Sequence, residues 1–383
     1  AKERDDSFSL CGLTADRGEA FKIPLPARGH AGAGHPRRAE AVAFARRPGH
    51  FALVIDCVRG EIRHELQPVT GRQFNGHGAY LEDGRLLVTS EQVADDSRGI
   101  IGIWDVEAGY RRMGEVESGG IGPHDLRLMP DGVTLVVANG GIATDPSDRT
   151  KLNIPDMRPN LAFVTLADGP AEVVEPEAGA RRNSIRHLSV RGDGLVAFAM
   201  QWEGEGISPP LLGLVRQGSG VTLAAAPEAE HALMQGYAGS VAFSGDGAEV
   251  AITSPRGGRV QRFSDAGVFA GAVSRGDVCG VAPVGGGFLL SAGPGGPLSL
   301  QGDAVAPLGL AGRAWDNHIV THCSGGFPVF EVQPRQLGRG QRQAERGQGR
   351  GDLAGAARPD ERERGEGLRQ NPGGGDVVGA EAV

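Results

Sequence analysis

Apolar and polar residues alternate in short runs along the chain as far as residue 320, and glycine-containing turns separate the runs. One unit repeats: a loop that often ends in histidine, an apolar stretch, an Asp-Gly type of turn and a second apolar stretch. Short alternating runs bounded by such turns predict β-strands joined in hairpins. The clear copies begin at His77, His124, His187 and Ser240, and the weaker copies begin at His30, Cys279 and Asp316.

Seven copies spaced by about 40 to 60 residues predict a seven-bladed β-propeller with four strands in each blade. The Asp-Gly pairs predict type I′ hairpins, in which both central residues have positive φ. Phe8–Leu13 and Glu19–Pro24 resemble the last two strands of a blade, and Trp315–Val320 resembles a first strand. We therefore expect the N-terminal strands to complete the last blade around the C-terminal one, with its second strand drawn from Ala1–Ser7 or from residues upstream. This closure would remove an open sheet edge.

Composition agrees with one all-β domain over residues 1–333, since 63 glycines and 24 prolines suit a chain with many tight turns. Residues 334–383 contain no aromatic residue and are dominated by Gly, Arg, Gln, Glu and Ala. Such a segment buries too little apolar surface to offset its ordering entropy, so we predict a disordered tail.

The formal charge of −8 is spread along the chain and marks neither a nucleic-acid nor an anionic-membrane partner. No run approaches the roughly 18 to 20 apolar residues of a membrane helix, so we expect no membrane insertion. We also expect a monomer. The chain contains no G-x-S-x-G elbow, P-loop, H-E-x-x-H pair or dinucleotide-binding glycine motif, so no common catalytic motif names a reaction.

Histidine recurs at the start of the inner strands, although the whole chain has only 10 histidines. The candidate metal ligands are His30, His77, His124, His187 and His318. Imidazole suits transition-metal ions, here Fe, Cu or Zn, and inner strands line the channel of a propeller. Two facts limit this prediction. A seven-bladed ring is wide, so only neighbours such as His30, His77 and His318 should reach one ion. His124 is also one residue out of step with the repeat, so that Asp125 faces the channel instead. Alternatively, the histidines anchor the blades by hydrogen bonds to neighbouring loops, or bind a polar ligand directly.

Other polar residues are expected on the same face, which makes a polar funnel the candidate ligand site. The ends of second strands and the starts of inner strands supply Arg46, Glu91, Asn139, Gln201, Trp202, Arg256, Arg186, Asp277 and Asp316. Inter-blade ion pairs are an equal alternative for Arg186 and Arg256. Two long loops, Ile142–Asn160 and Glu203–Pro210, are either lids over this face or solvent-exposed decoration.

With these motifs identified, the chain resembles a bacterial family catalogued as domain of unknown function 1513, over about residues 7–320. The runs that carry the resemblance are Gly29-His30, Gly76-His77-Gly78, Gly120-Ile121-Gly122-Pro123-His124, Ser184-Ile185-Arg186-His187-Leu188, Thr253-Ser254-Pro255-Arg256-Gly257-Gly258, Asp277-Val278-Cys279-Gly280-Val281 and Trp315-Asp316-Asn317-His318. The resemblance implies a periplasmic propeller exported by the twin-arginine route and an imelysin-type iron-uptake protein as partner. It brings no established activity. Family members start with an export signal and end soon after the Trp-Asp-Asn-His run, whereas this chain has no such signal and about sixty further residues.

Three functions remain open from the sequence. The leading hypothesis is a periplasmic binding or accessory protein that uses the histidine-lined face in iron or other metal handling, without catalysis. The second is a metal-dependent enzyme, a lactonase-like hydrolase or an oxidoreductase, with Glu91 or Asp316 as general base. The third is a purely structural platform for protein interactions. The fold does not select among them.

Overall fold

The computed structural model describes residues 1–14, 18–293, 295–309, 313–315 and 318–320. Within these ranges the strands are, in chain order, β1 (Phe8–Leu13), β2 (Glu19–Leu25), β3 (Gly29–Gly34), β4 (Glu40–Ala45), β5 (Ala52–Asp56), β6 (Glu61–Leu66), β7 (Arg72–Leu81), β8 (Leu86–Val93), β9 (Arg98–Asp105), β10 (Arg111–Ile121), β11 (Pro123–Leu128), β12 (Thr134–Asn139), β13 (Asn160–Thr165), β14 (Gly169–Val174), β15 (Asn183–Val190), β16 (Val196–Trp202), β17 (Leu212–Val215), β18 (Thr222–Ala224), β19 (Ser240–Phe243), β20 (Glu249–Ser254), β21 (Arg259–Ser264), β22 (Phe269–Ser274), β23 (Val278–Val284), β24 (Gly287–Ala292), β25 (Gly296–Gln301) and β26 (Ala304–Pro307). One short α-helix, α1 (Glu228–Ala232), and single 3-10 turns complete the described secondary structure.

These strands form six antiparallel sheets of four consecutive strands each: β3–β6, β7–β10, β11–β14, β15–β18, β19–β22 and β23–β26. The first strand of each sheet contacts the first strand of the next, from β3 through β7, β11, β15 and β19 to β23. A ring of radially packed four-stranded sheets is the architecture of a β-propeller. The predicted all-β propeller with four-stranded blades is confirmed.

The predicted number of blades is wrong, because six four-stranded blades are present in the described part of the chain rather than seven. β1 and β2 pair with each other in a two-stranded sheet. Next to it the chain forms only single bridges, from Lys2 to Phe8, from Lys2 to Ala314 and from Gly293 to Trp315. The expected second strand is thus reduced to one residue. Of the expected first strand, residues 318–320 are not in a strand and residues 316–317 lie outside the description.

The hairpin turns differ from the predicted type I′ geometry. Both central residues have positive φ only at Asp83-Gly84, whereas at Asp131-Gly132 the positive φ is confined to the glycine. There the amide of Gly132 donates to the carbonyl of Met129, and the Asp131 carboxylate accepts from the amides of Val133 and Thr134. This is a type I turn closed by a left-handed glycine. Asp131 acts in it as a hydrogen-bond acceptor and does not adopt the positive φ that a type I′ turn would require.

The cores lie between neighbouring sheets and consist of the apolar residues that alternate along the strands. Phe44, Phe74, Leu87 and Trp104 pack together between the first two blades. Each fully buried phenylalanine of this kind stabilises the fold by about 2 to 3 kcal/mol through its apolar area. No helix among the described residues combines the length and the apolarity that crossing a bilayer requires. The tail predicted at residues 334–383 lies outside the described residues, so its disorder stays a prediction.

Candidate metal centre

Irregularities in the inner strands set the direction of the candidate histidines. The pairing register shifts between Gly29 and Gly32 in β3, and between Phe74 and Gly78 in β7. It shifts again in β11 and in β15, each time beside the histidine of that strand. A bulge changes where a side chain points without ending the strand. Each of the four histidines carried by inner strands is therefore placed by a bulge and not by the regular strand alternation.

The five candidate histidines form one cluster of rings. His30, His124, His187 and His318 make a four-membered ring whose neighbouring ring centroids are 5.1, 4.7, 4.7 and 4.9 Å apart. His77 contacts all four, with centroid distances between 4.9 and 5.6 Å. We call His77, which contacts all four members of this ring, the apex of the cluster.

The ring nitrogens are spaced as the ligands of one ion would be. Nε2 of His124 lies 3.2 Å from Nε2 of His30 and 3.1 Å from Nε2 of His187. One nitrogen each of His30, His77, His187 and His318 lies within 4.8 Å of the others. Two nitrogens bound to one ion at about 2.1 Å are about 3.0 Å apart when adjacent and about 4.2 Å apart when opposite. The two short contacts match the adjacent spacing, whereas the limit of 4.8 Å on the other set is somewhat wider than the opposite spacing.

The contacts at His124 are difficult to satisfy by hydrogen bonds alone. A neutral imidazole nitrogen carries either one N–H or one lone pair, so Nε2 of His124 has a single hydrogen-bonding direction for two close nitrogens. Its Nδ1 is buried and has no hydrogen-bond partner. A cation shared by the three rings would account for both short contacts.

Burial favours the neutral form of these rings. Desolvation, followed by the charges of neighbouring histidines, holds the pKa values of His30, His124 and His187 well below the ordinary value. Arg46 acts in the same direction on His30, and Arg186 does so on His124 and His187. Neutral imidazole is the form that binds a metal ion.

Asp125 orients the histidine at the apex. Its Oδ1 lies 3.1 Å from Nδ1 of His77, and both side chains are almost fully buried. The amides of Leu126 and Leu188 donate to the same carboxylate. Burial acts to raise the pKa of Asp125, but Arg127 and His77 outweigh it and hold that pKa far below the usual range. In the neutral form of His77, donation of Nδ1–H to the ionised carboxylate leaves the lone pair on Nε2, which is buried and has no hydrogen-bond partner among the described residues. Metal-binding histidines commonly donate their other ring N–H to a carboxylate in this way.

A cavity of about 380 Å³ is lined by inner-strand residues of the blades together with His187, His318 and Asp125. Much of its remaining wall is glycine, alanine and valine from the inner strands. The cavity therefore adjoins the histidine cluster.

One expectation about the histidines is wrong, and a second holds in part. The ring was expected to be too wide for distant blades to share one ion, yet His30 of the first blade and His187 of the fourth have centroids only 6.1 Å apart. As expected, Asp125 lines the cavity and His124 is not among its lining residues, but the His124 ring still contacts the rings of His30 and His187. Side chains that point inward from bulged strands reach across the channel, and this explains why histidines of distant blades lie close together.

The structure places Arg186 beside the cluster and several other candidate ligand residues away from it. Glu91 is fully buried inside the second blade, where its Oε1 accepts from Thr89 and lies 2.7 Å from Nη1 of Arg112. Asn139 is buried and bonds Ser118 and Asn160. Both therefore stabilise blade packing and do not face a funnel.

The remaining candidates lie around the rim. Gln201 donates to the carbonyl of Ala238 and Trp202 to that of Glu205, each at 3.4 Å. The Arg256 guanidinium stacks over Tyr237, 4.4 Å from the ring centroid, and forms no inter-blade ion pair with the carboxylates that the structure describes. Asp277 has a φ of 57°, and a Cβ on Gly293 would lie 2.0 Å from its carboxylate. Asp316 lies outside the described residues.

Two arginines that the sequence did not single out lie near Arg186. Arg47 follows β4, and Arg149 belongs to the long loop after β12. Burial, followed by the positive charges of Arg186 and Arg149, lowers the pKa of Arg47 to about 9. Burial likewise lowers the pKa of Arg149 and of Arg186. Arg47 could have been found from the sequence, because it lies at the end of a second strand, which is the position that supplied several of the other candidates.

The two long loops meet on this face. Lys151 of the first loop lies 2.6 Å from the carboxylate of Glu203 in the second. The first loop is also fixed to the second blade, since Gln73 donates to the carbonyl of Pro146 and the Ser97 hydroxyl to that of Thr144. The loops are thus tied to the blades and to each other, and the first loop carries Arg149 toward Arg47.

The fold and these side chains together define a β-propeller with a histidine cluster in its central channel. The chain belongs to the family described as "Protein of unknown function (DUF1513)", whose model matches residues 23–322, so the predicted family is confirmed. Among solved structures it is similar to the hydrazine synthase of Kuenenia stuttgartiensis, at 14% identity and a TM-score of 0.55, over 75% of this chain and 86% of that chain. At this identity the similarity concerns the fold alone. No curated protein matches the chain. Export, location and an imelysin-type partner therefore stay predictions.

Proposed function

We propose that this protein is a metal-binding propeller in which the histidine cluster holds one transition-metal ion. The observation that carries the proposal is the position of His124 Nε2, which lies 3.2 and 3.1 Å from two other ring nitrogens that it cannot both satisfy by hydrogen bonds. An ion in the cluster would receive lone pairs from His30, His77, His187 and His318, whose nitrogens lie within 4.8 Å of one another. His124 would be a further ligand, because its Nε2 lies close to those of His30 and His187. Metal binding is compatible with the alternative considered from the sequence, that the histidines anchor the blades, because His77 joins two blades through Asp125.

The donor set selects the kind of ion. Imidazole nitrogen suits iron, copper, zinc and nickel, whereas Mg²⁺ and Ca²⁺ require oxygen ligands. Among the described residues the carboxylate at the cluster is that of Asp125, which is already engaged by His77, Arg127 and two backbone amides. The site therefore suits iron, copper, zinc or nickel.

Binding is better supported than catalysis. A metal-dependent hydrolase needs a carboxylate free to act as general base next to the ion. Glu91, one of the two carboxylates proposed for that role, is ion-paired with Arg112 in the second blade. We therefore assign the protein a binding or accessory role in metal handling.

Titration of chelator-treated protein with Fe²⁺, Cu²⁺, Ni²⁺ and Zn²⁺ by calorimetry tests the proposal. We expect one ion per chain for at least one of these metals, and no heat with Mg²⁺. The affinity should follow the ranking of nitrogen-rich sites, in which Cu²⁺ exceeds the other divalent ions. The absence of saturable binding for all four transition metals would overturn the metal centre.

Replacing Asp125 with asparagine should weaken metal binding by about 10- to 100-fold, the usual effect of losing a second-shell carboxylate. Asparagine keeps the shape of the side chain but removes the charge that fixes the tautomer of His77. The affinity is measured by competition with a chromophoric chelator. Asp168→Asn, at an exposed residue in the hairpin turn between β13 and β14, is the matched control and should bind as the wild type does. Equal affinity of Asp125→Asn and the control would show that Asp125 has no role in holding metal.

A further inference from the structure

Three arginines converge beside the histidine cluster from three different blades. Arg186 lies in β15 of the fourth blade, directly before His187. Arg47 follows β4 of the first blade, and Arg149 belongs to the loop between β12 and β13 of the third blade. The positive charges of Arg186 and Arg149 act on Arg47, and that of Arg149 acts on Arg186.

The glycines Gly122 and Gly140 give the geometry of this approach. Their backbones are joined by a hydrogen bond of 3.0 Å. A Cβ on Gly140 would lie 3.4 Å from Nη1 of Arg186, and a Cβ on Gly122 would lie 3.9 Å from Nη1 of Arg47. The two guanidinium groups therefore approach the same backbone pair, one from the first blade and the other from the fourth.

These arginines lack the partners that buried cations require. Arg186 is only 5% exposed, and its Nε and that of Arg149 are buried without a hydrogen-bond partner. Among the residues that the structure describes, Arg47, Arg149 and Arg186 form no ion pair with a carboxylate. The nearest acidic influence on Arg186 is Glu203, whose carboxylate is paired with Lys151 at 2.6 Å. Removing cations from water is costly unless a counter-charge and hydrogen-bond acceptors replace the water.

We propose that Arg47, Arg149 and Arg186 form a binding site for a small oxyanion beside the histidine cluster. A carboxylate or phosphate group supplies both the negative charge and the planar or tetrahedral oxygen acceptors that match guanidinium donors. The anion is held between three blades, and one of its partners comes from the loop over Ile142–Asn160. That loop then acts as part of the binding site and not as surface decoration.

The anion site stands independently of the metal centre, because none of its three arginines is a metal ligand. Its position next to His187 nevertheless means that a bound oxyanion lies beside the histidines. A metal ion that arrives together with carboxylate or phosphate ligands is the kind of cargo that both sites would recognise at once.

Calorimetric titration of chelator-treated protein with inorganic phosphate, bicarbonate and citrate, at low ionic strength, tests the proposal. We expect saturable binding of at least one of these anions with one anion per chain. Arg47→Gln and Arg149→Gln should each weaken that binding by about tenfold or more, since each removes charge-assisted hydrogen bonds. Arg181→Gln, which removes the same charge at an exposed position, should leave the affinity unchanged.

Thermal unfolding in anion-poor buffer separates loss of binding from loss of fold. Arg47→Gln should melt at or above the wild-type temperature, because it relieves repulsion from Arg149 and Arg186, and added anion should stabilise the wild type more than the variant. Without saturable binding in the wild type, or with equal affinities in the wild type and both arginine variants, the anion site is overturned. Since the titration uses metal-free protein, failure of metal binding does not affect this result.

Discussion

Replacing His77 and His187 together with alanine should abolish stoichiometric binding of a transition-metal ion. The double variant removes His77, the apex of the cluster, and one member of the four-membered ring of histidines. It also frees His124 from one of its two short nitrogen contacts. Three imidazoles with an opened geometry would remain, so we expect the affinity to fall by at least about a hundredfold, at about tenfold or more for each lost ligand. Metal content by inductively coupled plasma mass spectrometry, after dialysis against a weak chelator, measures the effect.

The matched control removes two histidines from the surface. His50 and His64 are exposed, and neither contacts the cluster. The variant with both of them replaced by alanine should retain one ion per chain, and circular dichroism should show the same β-sheet content for both double variants. Equal metal content in the two double variants would place the ion elsewhere or leave the histidines as blade anchors alone.

Replacing Arg112 with leucine should lower the free energy of unfolding by about 3 to 5 kcal/mol. Nη1 of Arg112 lies 2.7 Å from Oε1 of Glu91, whose side chain is 0% exposed. Arg112 also stacks over Trp104 at 5.2 Å. The variant leaves a buried carboxylate without its cation, and this is among the most destabilising single changes that a fold can undergo. Urea unfolding followed by tryptophan fluorescence measures the loss.

The pH dependence of this loss identifies its cause. Burial raises the pKa of Glu91, while Arg112 acts to lower it, so the variant raises that pKa further. A carboxyl group with a raised pKa binds protons more tightly in the folded state, and its contribution to stability is therefore lost as pH rises through the folded pKa. We expect the variant to lose more stability at pH 8 than at pH 5. Adding Glu91→Gln should recover much of the loss, and a small loss independent of pH would contradict this account.

The repeat in the sequence predicts the blades well because strand alternation and turn residues are local signals. The Asp-Gly pairs at residues 83–84 and 131–132 mark hairpins within two blades, even though the turn type differs. Local signals could not predict whether the seventh blade forms. Each of its possible strands, in β1, β2, Lys2 and the chain near Ala314, resembles a strand when taken alone. Whether they form a four-stranded sheet depends on pairing between distant segments, and in the described chain that pairing consists of single bridges.

The candidate site shows a similar division. All five histidines could be found from the sequence, because they recur at or next to one position of the repeat. Their convergence could not, since it depends on bulges beside four of them that change the facing direction of those side chains. Glu91 was misplaced for the related reason that its burial depends on Arg112, a partner 21 residues away. Arg149 was missed because only the tertiary position of its loop brings it to Arg47.

X-ray absorption at the metal edge of the loaded protein tests the central claim most directly, because it counts the ligands of the ion. The account predicts a first shell of four to five nitrogen scatterers at about 2.0 to 2.1 Å, with the outer-shell pattern of imidazole rings and no sulfur. The His77→Ala, His187→Ala double variant treated in the same way should give no ordered imidazole shell. An ion surrounded mainly by oxygen or sulfur in the wild type would contradict the histidine centre.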